Sequence, residues 1–196
     1  MLFMQKKLCR TFRNCIQFII LKTFVGSVIM KKKEGGENML LYHGSNVAVK
    51  VPKIIESNRA LDFGGGFYLT SDYDQAAKWA KLMVLRRGEG TPTVTVFDYD
   101  EEAASLNTLK FSAPDADWLK FVASHRTNTN AENDYDVIAG PVANDNTMPV
   151  INMYIAGDYN EEEAIRRLLT QKLKDQYVMK TERAVAALKF KEVITL

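Results

Sequence analysis

The chain's 196 residues, 46% apolar and 26% charged, suffice for one domain with a sizeable core and are too few for two full ones. The net charge of +2 is unevenly spread: residues 1–38 hold Lys6, Lys7, Arg10, Arg13, Lys22, Lys31, Lys32 and Lys33 against Glu34 and Glu37, so that stretch carries +6 and residues 39–196 carry −4. An acidic body without repeats or low-complexity tracts excludes a broad DNA-binding surface, which needs clustered Lys and Arg; a nucleic-acid end or a single base stays open as a substrate.

In chain order, the first feature is an apolar run from Cys15 to Met30, broken by Lys22 and flanked by basic residues. It is short for a membrane span and carries a charge at its middle. No small-residue cleavage site precedes Lys31-Lys32-Lys33. The purine-rich codons behind Lys31 to Asn38, those of Glu34-Gly35-Gly36-Glu37 above all, read as a translated ribosome-binding site upstream of Met39. The expected start is therefore Met39, with 1–38 a non-domain extension of mis-assigned origin and 39–196 the domain. A membrane anchor over 1–38 is the alternative. Both cysteines, Cys9 and Cys15, lie in the extension. The body then has no disulfide framework, thiolate metal site or cysteine nucleophile, and a reducing cytoplasm is the expected location.

Leu40–Tyr42 reads as a short strand ending in His43-Gly44-Ser45. An irregular stretch through Pro52, Ile54, Ile55 and Arg59 leads to Leu61-Asp62-Phe63-Gly64-Gly65-Gly66-Phe67-Tyr68-Leu69-Thr70. Three consecutive glycines let backbone come close to a ligand, and Phe-Tyr-Leu-Thr has strand character. Flexible backbone beside a histidine, a tyrosine and hydroxyls suits a nucleotide or sugar pocket; a glycine-rich hairpin with core aromatics is the plainer alternative. Ser71, with Asp74 three residues on, predicts a helix start. That helix runs to about Arg87 with Tyr73, Ala76, Ala77, Ala80, Met83 and Val84 inward, and Gly88 and Gly90 stop it. Thr93–Phe97 reads as a strand. Pro114 opens a helix whose stripe is Trp118, Phe121, Val122 and His125, which makes His125 a packing histidine rather than a base. Tyr135–Gly140 reads as a buried strand and Glu161–Leu173 as an amphipathic helix with Ala164, Ile165, Leu168 and Leu169 inward. Tyr177–Met179 is a strand, Thr181 caps a helix through Leu188, and Phe190–Leu196 closes the chain as a strand. Short strands among unequal helices, without regular βαβ spacing, predict an α+β fold.

Metal and dinucleotide motifs are missing. Asp134, Asp136, Asp145 and Asp158 match no calcium-loop spacing, and two histidines without a body cysteine make no zinc site. The glycines enter a strand, not the helix start of a Walker loop or a Gly-x-Gly-x-x-Gly turn.

Leu41-Tyr42-His43-Gly44-Ser45, followed by Asp62 to Thr70 with Gln75-Ala76 after it, resembles the ADP-ribosyltransferase-like superfamily. Within it the nearest likeness is to the bacterial domain-of-unknown-function 3990 family. The likeness extends to Trp118-Leu119-Lys120-Phe121, to Asp134 through Asp145 and to Asp175-Gln176-Tyr177. It covers nearly all of 39–196 and none of 1–38. The resemblance implies an α+β, split two-sheet core with flanking helices that binds NAD as a substrate in the cleft between the sheets. It implies that His43 bonds the adenosine ribose, that Tyr68 stacks on the nicotinamide, and that Gly64, Gly65 and Gly66 bring backbone close to the dinucleotide. Gly44, Ser45 and Thr70 are further candidate contacts, the two hydroxyls being turn groups otherwise; Arg59 is a pyrophosphate contact or a solvated loop charge.

The chemistry behind this assignment is general. A positively charged nicotinamide is attracted to an aromatic face, and the oxocarbenium-like state of glycosidic cleavage is stabilised by a nearby anion or oriented acceptor. The superfamily's usual glutamate is replaced by Gln176, with Asp175 beside it. Asp136 is the alternative acid, or else a buried structural carboxylate. The implied function is NAD-dependent ADP-ribosyl transfer to an unidentified protein or nucleic-acid acceptor. The family's general character adds the toxin of a toxin–antitoxin pair, with a small cognate antitoxin as partner. Because of Gln176, a catalytically inactive NAD- or nucleotide-binding module, or a protein-interaction module, is the alternative. The expected start predicts that natively expressed protein has the intact mass of Met39–Leu196; the mass of all 196 residues would refute it.

Overall fold

The structure, a computed structural model, describes residues 38–54, 60–128 and 133–196. In chain order its elements are β1 (Met39–Ser45), β2 (Phe67–Leu69), α1 (Tyr73–Arg87), β3 (Thr93–Tyr99), α2 (Glu101–Ala104), β4 (Thr108–Lys110), α3 (Ala116–Thr127), β5 (Val137–Pro141), α4 (Met148–Ala156), α5 (Glu161–Leu168), β6 (Asp175–Met179), α6 (Glu182–Ala186) and β7 (Leu188–Thr195). β1, β3 and β7 form an antiparallel sheet in the order β1-β3-β7. A second sheet has the order β2-β6-β5-β4, with β4 and β5 parallel and the other pairs antiparallel. The fold is thus mixed α+β with two sheets, as the unequal spacing of elements predicts.

The two sheets are joined by one rung. Tyr42 N–H donates to the Thr70 carbonyl at 2.8 Å, and Thr70 N–H returns a bond to the Tyr42 carbonyl at 3.0 Å. Past that rung β1 continues to Ser45 on the side of Leu69, Tyr68 and Phe67, but there β1 pairs with β3 and β2 with β6, so the two strands part instead of continuing the ladder.

Alternation along β2 serves two cores at once, since successive strand side chains point to opposite faces. Phe67 and Leu69 enter a cluster with Leu41, Phe97, Tyr99, Val137 and Met179. Tyr68 packs against a second cluster containing Phe63, Trp118, Leu119, Val122, Ile138, Ile151 and Val178, to which α3, α4 and α5 contribute. Because the second sheet is covered on both faces, β5 reads as an unbroken buried run from Val137 to Gly140 rather than as an alternating strand.

Helix ends depart from the sequence expectation in several places: Asp115, not Pro114, opens α3, and α6 ends at Ala186, with Leu188 already in β7. Asp72, not Ser71, caps α1 by accepting from Gln75 N–H at 2.7 Å; the Ser71 hydroxyl is spent on Asp175. Glu161–Leu173 is helical only to Leu168, and Leu169 is 57% exposed, so the apolar stripe ends there. α4 has no counterpart in the predicted elements. It carries no side-chain cap and is apolar on both faces, with Met153 and Ile155 exposed, so its sequence shows no helical stripe. Gly88 closes α1 in the left-handed conformation at φ 70°. No helix of the described residues is long and apolar enough to cross a membrane.

α1 lies directly on β1 at Gly44, where an added Cβ would sit 2.0 Å from the Ala76 carbonyl oxygen and 3.0 Å from the Ala80 nitrogen. Both obstacles are helix backbone, so neither can rotate aside. Gly44→Ala is expected to cost about 3 kcal/mol or more, the upper range for overpacking, read as a lowered urea midpoint; an unchanged midpoint would refute this packing.

Candidate functional site

The split beyond the Tyr42–Thr70 rung gathers part of the residues singled out by the sequence. His43, half-buried on β1, stacks on Phe67 with ring centroids 4.4 Å apart. Its Nδ1 lies 2.8 Å from the Tyr68 carbonyl. A carbonyl only accepts, so Nδ1 carries the proton and Nε2 presents a lone pair. Burial holds the imidazole below its usual range, which keeps it neutral.

Tyr68 thus touches the split twice. Its carbonyl fixes His43, and its hydroxyl donates to the Gly64 carbonyl at 2.6 Å. Burial, with the Asp62 charge second, raises the phenol well above its ordinary range, so Tyr68 is a neutral donor and not a base. The glycine loop is held on its other side by Lys180, whose Nζ donates to the Phe63 carbonyl at 2.8 Å and whose pKa is lowered by burial. Gly64 and Gly66 have φ of 74° and 152°, and at Gly66 a Cβ would meet Val178 Cγ1 at 2.5 Å. These two glycines are required by conformation and close approach; Gly65 between them lies outside the positive-φ set.

Gly44 presents backbone rather than side chain. Tyr42 directs its N–H and C=O to Thr70. Strand alternation makes Gly44, two residues on, direct its own the same way, into the split where β1 and β2 part. Ser45 Oγ donates to Asn46 Oδ1 at 3.5 Å. Thr70 Oγ1 donates to Asp175 Oδ1 at 2.9 Å and accepts from Asp72 N–H at 3.1 Å. Arg59 lies outside the described residues.

Two carboxylates that sequence reasoning did not single out organise the site. Asp175 accepts from Thr70, from Ser71 N–H at 2.9 Å and from the Ser71 hydroxyl, while its carbonyl accepts from Gln75 Nε2 at 2.9 Å. It therefore ties β6 to the start of α1 beneath the rung. Asp62, buried in the glycine loop, accepts on Oδ1 from Arg126 Nε at 2.9 Å and from Arg126 Nη2, and on Oδ2 from Ala143 N–H at 3.0 Å and Gln176 Nε2 at 3.1 Å. Local sequence carries no signal for this knot, since Asp beside glycines reads as a turn residue and Arg126 lies 64 residues away. Gln176 is 5% exposed. By the β2–β6 register, in which Tyr68 faces Val178, it shares a sheet face with Tyr68.

Asp136 stands elsewhere. The β5–β6 register pairs Gly140 with Gln176 and Val137 with Met179, which puts Asp136 four residues, about 13 Å, along the strand from Gly140. It accepts from Thr181 Oγ1 at 2.7 Å, from Asn107 N–H at 2.9 Å and from the Arg183 guanidinium. The Arg183 pair and then the Thr181 bond hold its carboxyl down to about 2. This geometry is that of a structural junction among β4, β5 and α6. His125 is also structural: Nδ1 bonds the Phe121 carbonyl at 2.9 Å, its ring stacks on Phe121 at 4.3 Å, and burial lowers its pKa. A surface groove of about 610 Å³ lined by Lys110, Phe111, Lys120, Phe121 and Tyr135 lies on β4 and α3, not at the split. Among the described residues no cluster of His, Cys, Asp and Glu could hold a metal ion.

A family profile described as "Protein of unknown function (DUF3990)" matches residues 39–190. Comparison with curated proteins gives no match.

The depressed Asp136 carboxyl has a signed consequence. A folded-state value below the unfolded one adds stability above the unfolded pKa and loses it as pH falls through the folded one. Asp136→Asn is therefore expected to melt below wild type at pH 7, with the gap closing between about pH 4 and pH 2; a gap constant over that window would refute the junction.

Proposed function

We propose that this chain, which belongs to the DUF3990 family, is an NAD-dependent ADP-ribosyltransferase. The observation that carries the reading is the single-rung split, with the neutral His43 fixed by the Tyr68 carbonyl and Gly44 backbone turned into the opening. A split two-sheet core with flanking helices is the fold an ADP-ribosyltransferase-like domain requires, and the β1-β3-β7 and β2-β6-β5-β4 sheets are compatible with it.

In this reading His43 Nε2 accepts from a ribose hydroxyl. The Gly44 N–H and C=O offer the donor–acceptor pair that a carboxamide matches. The Tyr68 ring lies against the nicotinamide, whose positive charge favours an aromatic face. The bond from ribose C1′ to the nicotinamide nitrogen breaks, its electron pair leaves on nicotinamide, and positive charge develops at C1′. The acceptor's nucleophile then bonds C1′ and loses its proton to solvent. Gln176 would contribute its amide oxygen as a dipole toward that charge. We place the reaction in the cytoplasm, with a protein or nucleic-acid acceptor, as the toxin of a toxin–antitoxin pair held by a small antitoxin.

A second reading, an inactive NAD- or nucleotide-binding or interaction module, is favoured by one observation. A neutral amide at 176 stabilises a cation less than a carboxylate does. Full-length protein incubated with labelled NAD and bacterial lysate distinguishes the two. The transferase labels protein or nucleic acid and releases nicotinamide; an NAD-binding module does neither yet still melts higher with NAD, as any ligand selective for the native state requires, and an interaction module shows no shift. Tyr68→Ala and His43→Ala are expected to lower transfer about 100-fold, the order seen for loss of one well-placed polar or electrostatic group. Unchanged transfer in both variants would refute this site.

A further inference from the structure

We propose that Asp62 is a positioning residue for this site: it orients the Gln176 amide and is the reason an amide, not a carboxylate, stands at 176. The geometry is independent of the transferase reading; its chemical consequence rests on that reading.

Among the described residues, donors from three parts of the fold converge on Asp62. Arg126 from α3 takes Oδ1, while Ala143 N–H and Gln176 Nε2 take Oδ2. Tyr68 from β2 faces the same carboxylate as a neutral phenol. The second Gln176 amide hydrogen goes to the Pro141 carbonyl at 3.4 Å. Both hydrogens are thereby committed, and Oε1 is the end left for a ligand. Among the described residues Oε1 has no partner, and the one fully buried side-chain polar atom lacking a partner is the Tyr99 hydroxyl. Gln176 as a whole is 5% exposed.

Flipping the amide would set Oε1 against Asp62 Oδ2, acceptor to acceptor, so the flip is closed by chemistry. A glutamate at 176 would bring a second carboxylate to about 3 Å from the first, where both cannot ionise together. An ionised acid at 176 is thus incompatible with an ionised Asp62, and the amide is the group that satisfies it. Oriented this way, Gln176 offers an oxygen where the superfamily glutamate offers one, with its dipole fixed before substrate arrives.

The test compares full-length wild type, Asp62→Asn, Gln176→Glu and the double variant, in thermal melts from pH 4.5 to 8 and in NAD hydrolysis. Gln176→Glu is expected to melt near wild type at pH 4.5 and progressively below it toward pH 8. A raised carboxyl pKa confers stability below the unfolded value and loses it as pH rises through the folded one. In the double variant the amide at 62 donates to the carboxylate at 176, so the fall with pH disappears. Asp62→Asn lowers kcat about tenfold with KM for NAD changed less than about threefold, because the oxygen acts on charge that develops after binding. The double variant restores kcat to wild type or above.

Gln176→Glu melting in parallel with wild type over the whole range would overturn the proposal, as would unchanged kcat in Asp62→Asn. Should wild type neither hydrolyse NAD nor transfer label from it in lysate, the transferase reading fails by itself. The melts then still decide the coupling: a pH-dependent loss repaired in the double variant upholds it, and parallel curves overturn it.

Discussion

One antiparallel rung between Tyr42 and Thr70 joins the two sheets, and the rest of the site depends on it. Two backbone bonds contribute only about 0.5–1.5 kcal/mol each net of water, too little to fix an angle between sheets. The junction is fixed instead by what surrounds the rung. Below it, Asp175 collects Thr70, Ser71 and, through its carbonyl, Gln75. Beside it, His43 bonds the Tyr68 carbonyl and stacks on Phe67. Above it, Gly44 lets α1 press onto β1 without an intervening side chain. The split is thus braced from three directions by groups at its rim.

Carboxylates carry much of the long-range polar bonding, a costly choice where they are buried, because a buried acid must find donors enough to replace water. Buried Asp62 and Asp136 do, half-buried Asp175 collects donors as well, and each joins elements far apart in sequence: the glycine loop to α3 and β6, β5 to α6, and β6 to α1. A saturated carboxylate is directional where apolar packing is not, since removing one donor leaves a charge unsatisfied. These three acids therefore specify strand ends and loop positions that the two apolar clusters alone would leave adjustable. Asp136 works at the end remote from the split, which separates its structural duty from that of Asp62 beside Gln176.

How much of this could be read from the sequence follows from the range of each signal. Local patterns performed well. His43-Gly44-Ser45 ending a strand, the glycine loop entering Phe67-Tyr68-Leu69, Gly88 stopping α1 and His125 on a packing stripe all rest on neighbours within a turn or a strand. The mixed α+β class was legible from spacing. Long-range polar partners were not, because nothing near Asp62 announces Arg126 or Gln176, and nothing near Ser71 announces Asp175. Ser71 resembled a helix cap for that reason, although its hydroxyl was already committed elsewhere. α4 escaped because its apolar residues surround the helix instead of forming one stripe. Asp136 was readable as a buried acid, but its Arg183 and Thr181 partners decide between structure and chemistry, and they follow it by more than forty residues.

Tyr68 couples the two halves of the site, because its backbone works at the edge of the sheet and its side chain on one face. Its carbonyl sets the His43 tautomer at the open edge of β2, and its ring stands with Gln176 on the helix-covered face. Strand geometry enforces this division, since a residue's carbonyl lies in the sheet plane and its side chain stands perpendicular to it. Truncating the ring leaves the carbonyl in place, so His43 keeps its orientation and its neutral form. Loss of function on truncation therefore belongs to the ring and hydroxyl alone. Truncating His43 leaves the ring tethered to Gly64 through its hydroxyl. The two residues are coupled through backbone and separable through side chains, which makes the split a site whose halves can be assigned one at a time.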